Sequence, residues 1–267
     1  MVKKRHRTIP LIPFEGADGL GLEVVGLQEL IAREMLHDLS QPQRPTFHHF
    51  ILPTRGVGIH TVDFRRHRLS KGSLLYVAPG QVQQFSLARS LDATMIVFQP
   101  DFVRRAPEVW PAPLRLKGVR GATVASLFGA IVAEWRGGSR RVLQALVEAL
   151  IEAADAGATE QPALHRRFLL AVERSFTRAH EVAAYAAILD CSPRTLARIC
   201  ERASGQSAKE VIDARVALEA RRMLAHGTAP AAQISEQLGF AEPTQFGKFF
   251  RRLTGGSPAR FRAGFQK

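Results

Sequence analysis

Two textures divide the chain. Up to about residue 100, apolar residues come in short runs, Phe47–Leu52, Gly58–Val62, Ser73–Val77 and Ala93–Phe98, separated by Pro, Gly and charged residues. Runs of that length and spacing predict short strands closing into a small sandwich or barrel. Pro79-Gly80 marks a turn between two of them. Beyond Pro111 and Pro113 the apolar residues recur at helical spacing. Gly121–Trp135 and Ser139–Ala156 each read as a helix, the second with Val142, Leu143, Leu146, Val147, Leu150 and Ile151 on one face. Such a face packs either on its own barrel or on a second copy of the chain, and the pattern fits both.

From His165 onward the periodicity is helical throughout. It is interrupted at Asp190–Pro193, Ser204–Ser207, Gly227–Pro230, Gly239–Pro243 and Gly255–Pro258. Six or seven short helices in about 100 residues make one compact helical domain. Two helix-turn-helix units stand out within it. In the first, Glu181 to Arg202, a helix with Val182, Tyr185, Ala186 and Leu189 stops at Asp190. Ser192 then stands at an N-cap position and Pro193 at the first helical position. The helix that follows sets Leu196, Ile199 and Cys200 on one face and Arg194, Arg198 and Glu201 on the other. Arginines presented after a tight turn suit a major groove, because a guanidinium bonds O6 and N7 of guanine together.

The second unit, Ala231 to Thr254, repeats the plan. Ile234 and Leu238 face inward, and Gly239 ends the helix in a left-handed cap. The next helix buries Phe246, Phe249, Phe250 and Leu253 and offers Thr244, Gln245, Lys248 and Arg251 outward. Gln suits adenine, Lys suits guanine or phosphate, and Thr suits a thymine methyl. A helix over 208–224 joins the units, with Val211, Leu218 and Met223 read as inward. The contacting set expected from both units is Ser192, Arg194, Thr195, Arg198 and Arg202, then Thr244, Gln245, Lys248, Arg251 and Arg252.

Charge strengthens this reading. The formal net charge is +13, which favours a polyanionic partner. Residues 160–267 hold 17 Lys and Arg against 10 Asp and Glu. Lys3, Lys4, Arg5 and Arg7 crowd the start, where a solvated arm is the simple explanation. The two cysteines, Cys191 and Cys200, fall on core-facing positions and read as reduced hydrophobes of a cytoplasmic protein. No run approaches the roughly 18 apolar residues of a membrane helix. A membrane-surface protein would need a basic amphipathic helix with exposed aromatics, which is absent from the pattern.

The segments RVALEARRML (215–224) and QISEQLGFAEPTQFGKFFRRLTGGSPARFR (233–262) closely resemble the DNA-binding domain of the AraC/XylS transcription regulators. The resemblance covers about 185–262. It implies that Arg194 and Arg198, then Thr244, Gln245 and Lys248, lie at base-facing positions. Lys248 replaces a usual Arg and Glu201 a usual Lys, so base preference does not transfer. Cys200 stands where Phe is common and Ser235 where Ala is common.

The stretch HHFILPTRGVGIHTVDFRRHRLSKGSLLYVAPGQVQQF (48–85) resembles, less closely, the cupin-like sensing barrel found ahead of such domains. A metal-dependent cupin enzyme needs a converging His and carboxylate set. Gln83 and Gln84 stand where a ligand histidine commonly falls, and no Glu completes a set with His48, His49 and His60. The expectation is a small-molecule effector site with no metal, cofactor or catalytic residue. His60 and Gln84 are considered for its wall.

The whole reads as an α+β chain: a basic arm (1–20), a cupin-like effector-sensing barrel (21–110), a helical linker and dimerisation segment (111–160) and an all-α domain with two helix-turn-helix motifs (165–267). The expected partners are double-stranded DNA, an effector, a second copy of the chain and, for an activator, RNA polymerase. The rival readings are a non-specific architectural DNA binder, a cupin oxygenase, and a DNA-repair methyltransferase that would need a metal-bound cysteine set.

Overall fold

The computed structural model describes residues 9, 11–14, 19–32, 39, 41–86, 91–107, 113–158 and 163–265. Lys3, Lys4, Arg5 and Arg7 lie outside them. The chain divides into one unit of residues 10–160 and another built on residues 161–267.

The first unit contains β1 (Leu11–Ile12), β2 (Leu22–Gly26), α1 (Leu27–Ala32), β3 (Arg44–Pro45), β4 (His48–Arg55), β5 (Val57–Val62) and β6 (Arg65–Ser70). It continues with β7 (Ser73–Val77), β8 (Gln83–Ser86), β9 (Asp92–Phe98), β10 (Leu114–Arg115), α2 (Gly118–Glu134) and α3 (Arg140–Ala158). A five-stranded sheet runs in the order β10-β7-β4-β9-β2 and a three-stranded sheet in the order β6-β5-β8. The two sheets share a core of Ile51, Leu75, Val77, Ala93 and Met95 from one and Val62, Leu69 and Phe85 from the other. This is the cupin-like β domain.

The outer face of the larger sheet is covered too. Phe50, Leu74, Tyr76, Ile96 and Phe98 pack with Val124, Phe128 and Ile131 of α2 and with Leu143, Val147, Leu150 and Ile151 of α3. A sheet buried on both faces explains why β7 reads as an unbroken apolar run, since neither alternate position meets water. It also shows where the apolar face of the 139–156 helix goes, onto its own barrel. Arg104 fastens the loop after β9 to α3 through Glu148 at 2.7 Å, and Arg105 does so through Glu152 at 2.9 Å.

The β5–β6 hairpin turns on Asp63 and Phe64, both at positive φ (48° and 67°), as a two-residue hairpin turn requires. The Asp63 carboxylate secures it, accepting from the Gln81 amide at 2.6 Å and from the Val82 backbone N–H at 3.1 Å.

The second unit is helical: α4 (Ala163–Ser175), α5 (Val182–Ile188), α6 (Pro193–Ser204), α7 (Ala208–His226), α8 (Ala231–Gln237), α9 (Pro243–Thr254) and α10 (Pro258–Phe265). The five interruptions read from the sequence fall between consecutive helices from α5 to α10. One core gathers Phe168, Val172, Tyr185, Ala186, Leu196, Cys200, Ile212 and Val216; the other gathers Ala220, Leu224, Ile234, Leu238, Phe246 and Phe250. α7 therefore serves both, through Ala208, Ile212, Val216, Ala220 and Leu224 at four-residue steps. Its inward stripe differs from the Val211, Leu218 and Met223 expected, which flank it half-buried. Val211 and Met223 each stand one position from a stripe residue, Ile212 and Leu224, and Leu218 stands between Val216 and Ala220, so the expected face is rotated from the buried one.

Candidate nucleic-acid interface and barrel interior

Each helix-turn-helix is built by local chemistry. In the first, Ser192 Oγ accepts the backbone N–H of Thr195 at 3.1 Å, and the two hydroxyls lie 2.9 Å apart. This cap, with Pro193 beside it, starts α6 where the sequence placed it. Leu196 and Cys200 are buried, Ile199 is half-buried, and Arg194, Arg198, Glu201 and Arg202 are exposed. Burial pushes the Cys200 thiol up to about 11, so it stays protonated at neutral pH.

In the second unit Gly239 has φ 79°, and a Cβ there would stand 2.2 Å from the Thr177 carbonyl oxygen. Glycine is therefore required on two grounds, its backbone conformation and the close approach of the α4–α5 loop. Phe246 and Phe250 anchor α9, while Thr244, Gln245, Lys248, Arg251 and Arg252 are exposed. Leu253, read as inward, is 40% exposed; it continues the phenylalanine stripe but falls in the last turn of α9.

The two helices are thus equivalent surfaces. Arg194, Thr195 and Arg198 hold on α6 the places that Thr244, Gln245 and Lys248 hold on α9, counted from the starting prolines. Arg194, Arg198, Arg202, Lys248 and Arg251 form no ion pair with the other described residues, so their charges are directed at solvent. Arg252 differs. Its Nη2 donates to Asp213 Oδ2 at 2.8 Å, and its guanidinium lies over Phe249. Asp213, on α7, also receives Lys209 at 3.3 Å, and Lys209 reaches Glu181 at the start of α5 at 3.2 Å. These bridges brace the two units against α7. Sequence reading missed them because residues 39 positions apart leave no local pattern.

In the barrel, alternation along β4 sends adjacent histidines to opposite faces. His48 faces the helices, with Nδ1 2.7 Å from the Tyr76 hydroxyl and its ring stacked on Phe98 at 4.9 Å. It packs as a satisfied core residue, its pKa lowered to about 4 by burial. His49 faces the space between the sheets, where its Nε2 donates to Gln83 Oε1 at 2.9 Å. His60, on β5, is fully buried with its ring 4.1 Å from that of Phe85. The Nδ1 of His49 and both ring nitrogens of His60 are buried without a hydrogen-bond partner. Burial lowers His49 to about 4 and His60 to about 3. Gln83, rather than the Gln84 considered from the sequence, is the inward glutamine: β8 buries Gln83 and Phe85 and leaves Gln84 half-buried. Among the described residues no group of three or more His, Cys, Asp or Glu is placed to hold a metal ion.

Comparison with known proteins matches both halves. The family described as "Helix-turn-helix domain" matches residues 185–264, and the "AraC-like ligand binding domain" matches residues 26–158. A curated relative, the HTH-type transcriptional activator RhaR of Salmonella schwarzengrund (strain CVM19633), is 22% identical over 264 residues, spanning 87% of this chain and 90% of its own. Among solved structures, the C-terminal domain of AraT, a response regulator from Geobacillus stearothermophilus, is 21% identical with a TM-score of 0.38. It covers 40% of this chain and 88% of its own. Unsaturated fatty acid-bound wild-type ToxT from Vibrio cholerae strain SCE256 is 13% identical with a TM-score of 0.43, covering 90% of this chain and 94% of its own. The chain joins a ligand-binding barrel to a tandem helix-turn-helix domain and belongs to the AraC/XylS family of transcription regulators. It is a DNA-binding, effector-responsive regulator of that type. No helix of the described residues is long and apolar enough to cross a membrane.

Proposed function

We propose that this regulator reads a two-part DNA site in the cytoplasm by laying α6 and α9 into successive major-groove segments on one face of the duplex. Arg194 and Arg198 contact base edges in one segment, and Thr244, Gln245 and Lys248 do so in the other. Ser192, Thr195, Arg202, Arg251 and Arg252 hold the flanking backbone. The observation that carries this reading is the equivalence of the two helices, each with an exposed cationic face and a buried opposite face. α7, at 19 residues, spans about 28 Å, near the ~34 Å repeat of the groove. The bridges through Asp213 support a fixed spacing.

Two copies of the chain bind together, through the outer face of α2 and α3. Residues 121–133 of α2 carry no charge, and Val119, Val132 and Val142 are 86%, 38% and 45% exposed. Ligand in the barrel then biases how the helical domains are presented; where the protein activates, they also meet RNA polymerase. Gel filtration at micromolar concentration returns a dimer, and a strict monomer with and without DNA removes that part.

Incubating the protein with fragmented DNA of its source organism and sequencing what is retained tests the main reading. Enrichment of a few promoter-proximal sites sharing a two-part motif is expected. Arg198→Ala then costs about 1–3 kcal/mol at one preferred base pair. Uniform retention of all fragments, lost together as salt rises, would leave only backbone binding.

A further inference from the structure

β6 is the outermost strand of the three-stranded sheet. Its sequence, RRHRLS, followed by Lys71, places four cations within seven positions. Leu69 packs into the core between the sheets, so alternation turns Arg66 and Arg68 to the outer face. Strand register sets Arg66 beside Thr61 and Gln84 in one row, and Arg68 beside Ile59 and Ser86 in the next. Arg65 at the hairpin end and Lys71 in the following turn are exposed as well.

This charge has no answer within the β domain. β5, β6 and β8 contain no Asp or Glu, and Arg65, Arg66, Arg68 and Lys71 form no ion pair with the other described residues. Asp63, in the hairpin turn, is buried and accepts from Gln81 and Val82 instead. Charge on an outermost strand discourages pairing with another chain, but mixed signs would serve that end equally and would not repel one another. The face also offers little apolar surface, with Ile59 half-buried and Val57 38% exposed at its edge. It therefore lacks the apolar centre of a protein interface and the exposed aromatics of a membrane surface. A phosphate backbone fits better. Guanidinium groups bond phosphate oxygens two at a time. Residues two apart on a strand lie about 6.8 Å apart, the rise of two phosphates along one DNA strand. The helical domain binds DNA, and only residues 159–162 separate the end of α3 from the start of α4. A bound duplex is thus presented to the β domain at high effective concentration.

We infer that the outer face of β6 is a second DNA contact of this protein, in which Arg66 and Arg68 bond backbone phosphates outside the two-part motif and Arg65 and Lys71 extend the row. The contact carries no base preference. It adds affinity on longer duplexes and makes that part of binding sensitive to salt. The inference rests on DNA binding by α6 and α9 and concerns a separate surface.

The test titrates the full chain against two duplexes carrying the same retained site, one limited to the motif and one flanked on each side by about 15 base pairs, roughly 50 Å of duplex. Affinity is followed between about 50 and 200 mM salt. Arg66→Gln with Arg68→Gln is expected to leave the short duplex unchanged and to lower the salt slope on the long one by about two. Over that range the unsubstituted protein then loses about tenfold more affinity for the long duplex than the variant does. Arg66→Lys with Arg68→Lys keeps most of the slope. Hydroxyl-radical protection by the unsubstituted protein extends beyond the motif, a readout that stands even where the glutamine variant fails to fold. Protection confined to the motif, equal slopes on the long duplex, or an equal loss on both duplexes overturns the inference. Aggregation of the glutamine variant with its DNA binding unchanged does so too, and leaves the arginines as guards of a strand edge. Capture by phosphatidylserine-rich vesicles with no dependence on flanking DNA would instead assign the face to a membrane. The two readings fail separately, since base preference is read on the short duplex and flank dependence on the long one.

Discussion

The two helix-turn-helix units share a backbone plan and fill it differently. In the first, the turn residue with positive φ is Asp190 at 54°; in the second it is Gly239 at 79°. α6 is packed on Leu196 and Cys200, and α9 on Phe246 and Phe250 at the equivalent places. α6 begins with a hydrogen-bonded serine cap, whereas Glu242 before α9 makes no side-chain cap bond. The second turn is also one residue longer, running from Leu238 to Pro243 against Leu189 to Pro193. The difference teaches that position is secured by separate means. α6 is held chiefly at its start, by capping, and α9 chiefly along its length, by aromatic volume and the bridge from Arg252 to Asp213.

The sharpest way to break that contrast is to remove the volume. Phe250→Ala leaves a large cavity and is expected to cost about 3–5 kcal/mol, while Cys200→Ala at the matching place costs about 1 kcal/mol. Urea unfolding of the full chain, followed by helical signal, measures both, and equal losses would abolish the asymmetry. The turns come next. Gly239→Ala forces a Cβ onto the Thr177 carbonyl and should cost about 2 kcal/mol or more. Asp190→Gly relieves a mild strain at the price of chain entropy, and should change stability by less than about 0.5 kcal/mol. A large gain from it would mean that the first turn is as strained as the second is crowded. The caps give the smallest effects. Ser192→Ala is expected to lose about 1 kcal/mol, and Glu242→Ser to gain about 0.5–1 kcal/mol by supplying the missing cap. No gain from Glu242→Ser would show that aromatic packing already fixes the start of α9.

Much of the helical half was legible because proline, glycine and serine act locally. Ser192, Pro193, Ser207 and Gly239 mark boundaries through their own conformations and hydrogen bonds, and those boundaries lie where the spacing put them. The apolar strands β4, β7 and β9 were legible for the same reason. β6, with the sequence RRHRLS, was missed because an edge strand carries charge and does not alternate apolar with polar. β8, QQFS, is too short and polar to stand out. On the candidate interface, outward residues follow from helical periodicity alone. The engagement of Arg252 does not, since its partner Asp213 is brought near only by the packing of α9 against α7. The polar atoms inside the barrel were half visible: His49 and His60 were singled out, but which of Gln83 and Gln84 joins them depends on strand register.

Phe176 and Phe240 pack against both helical cores, and the Thr177 carbonyl closes on the second turn. The two reading heads are consequently not modules. A fragment ending after α7 would strip Phe176 of the second core and remove Phe240 from the first, so neither half can be cut out with its shape intact. Outward side chains of α6 and α9 can change one at a time without touching this seam, while any change at the seam is felt by both cores at once.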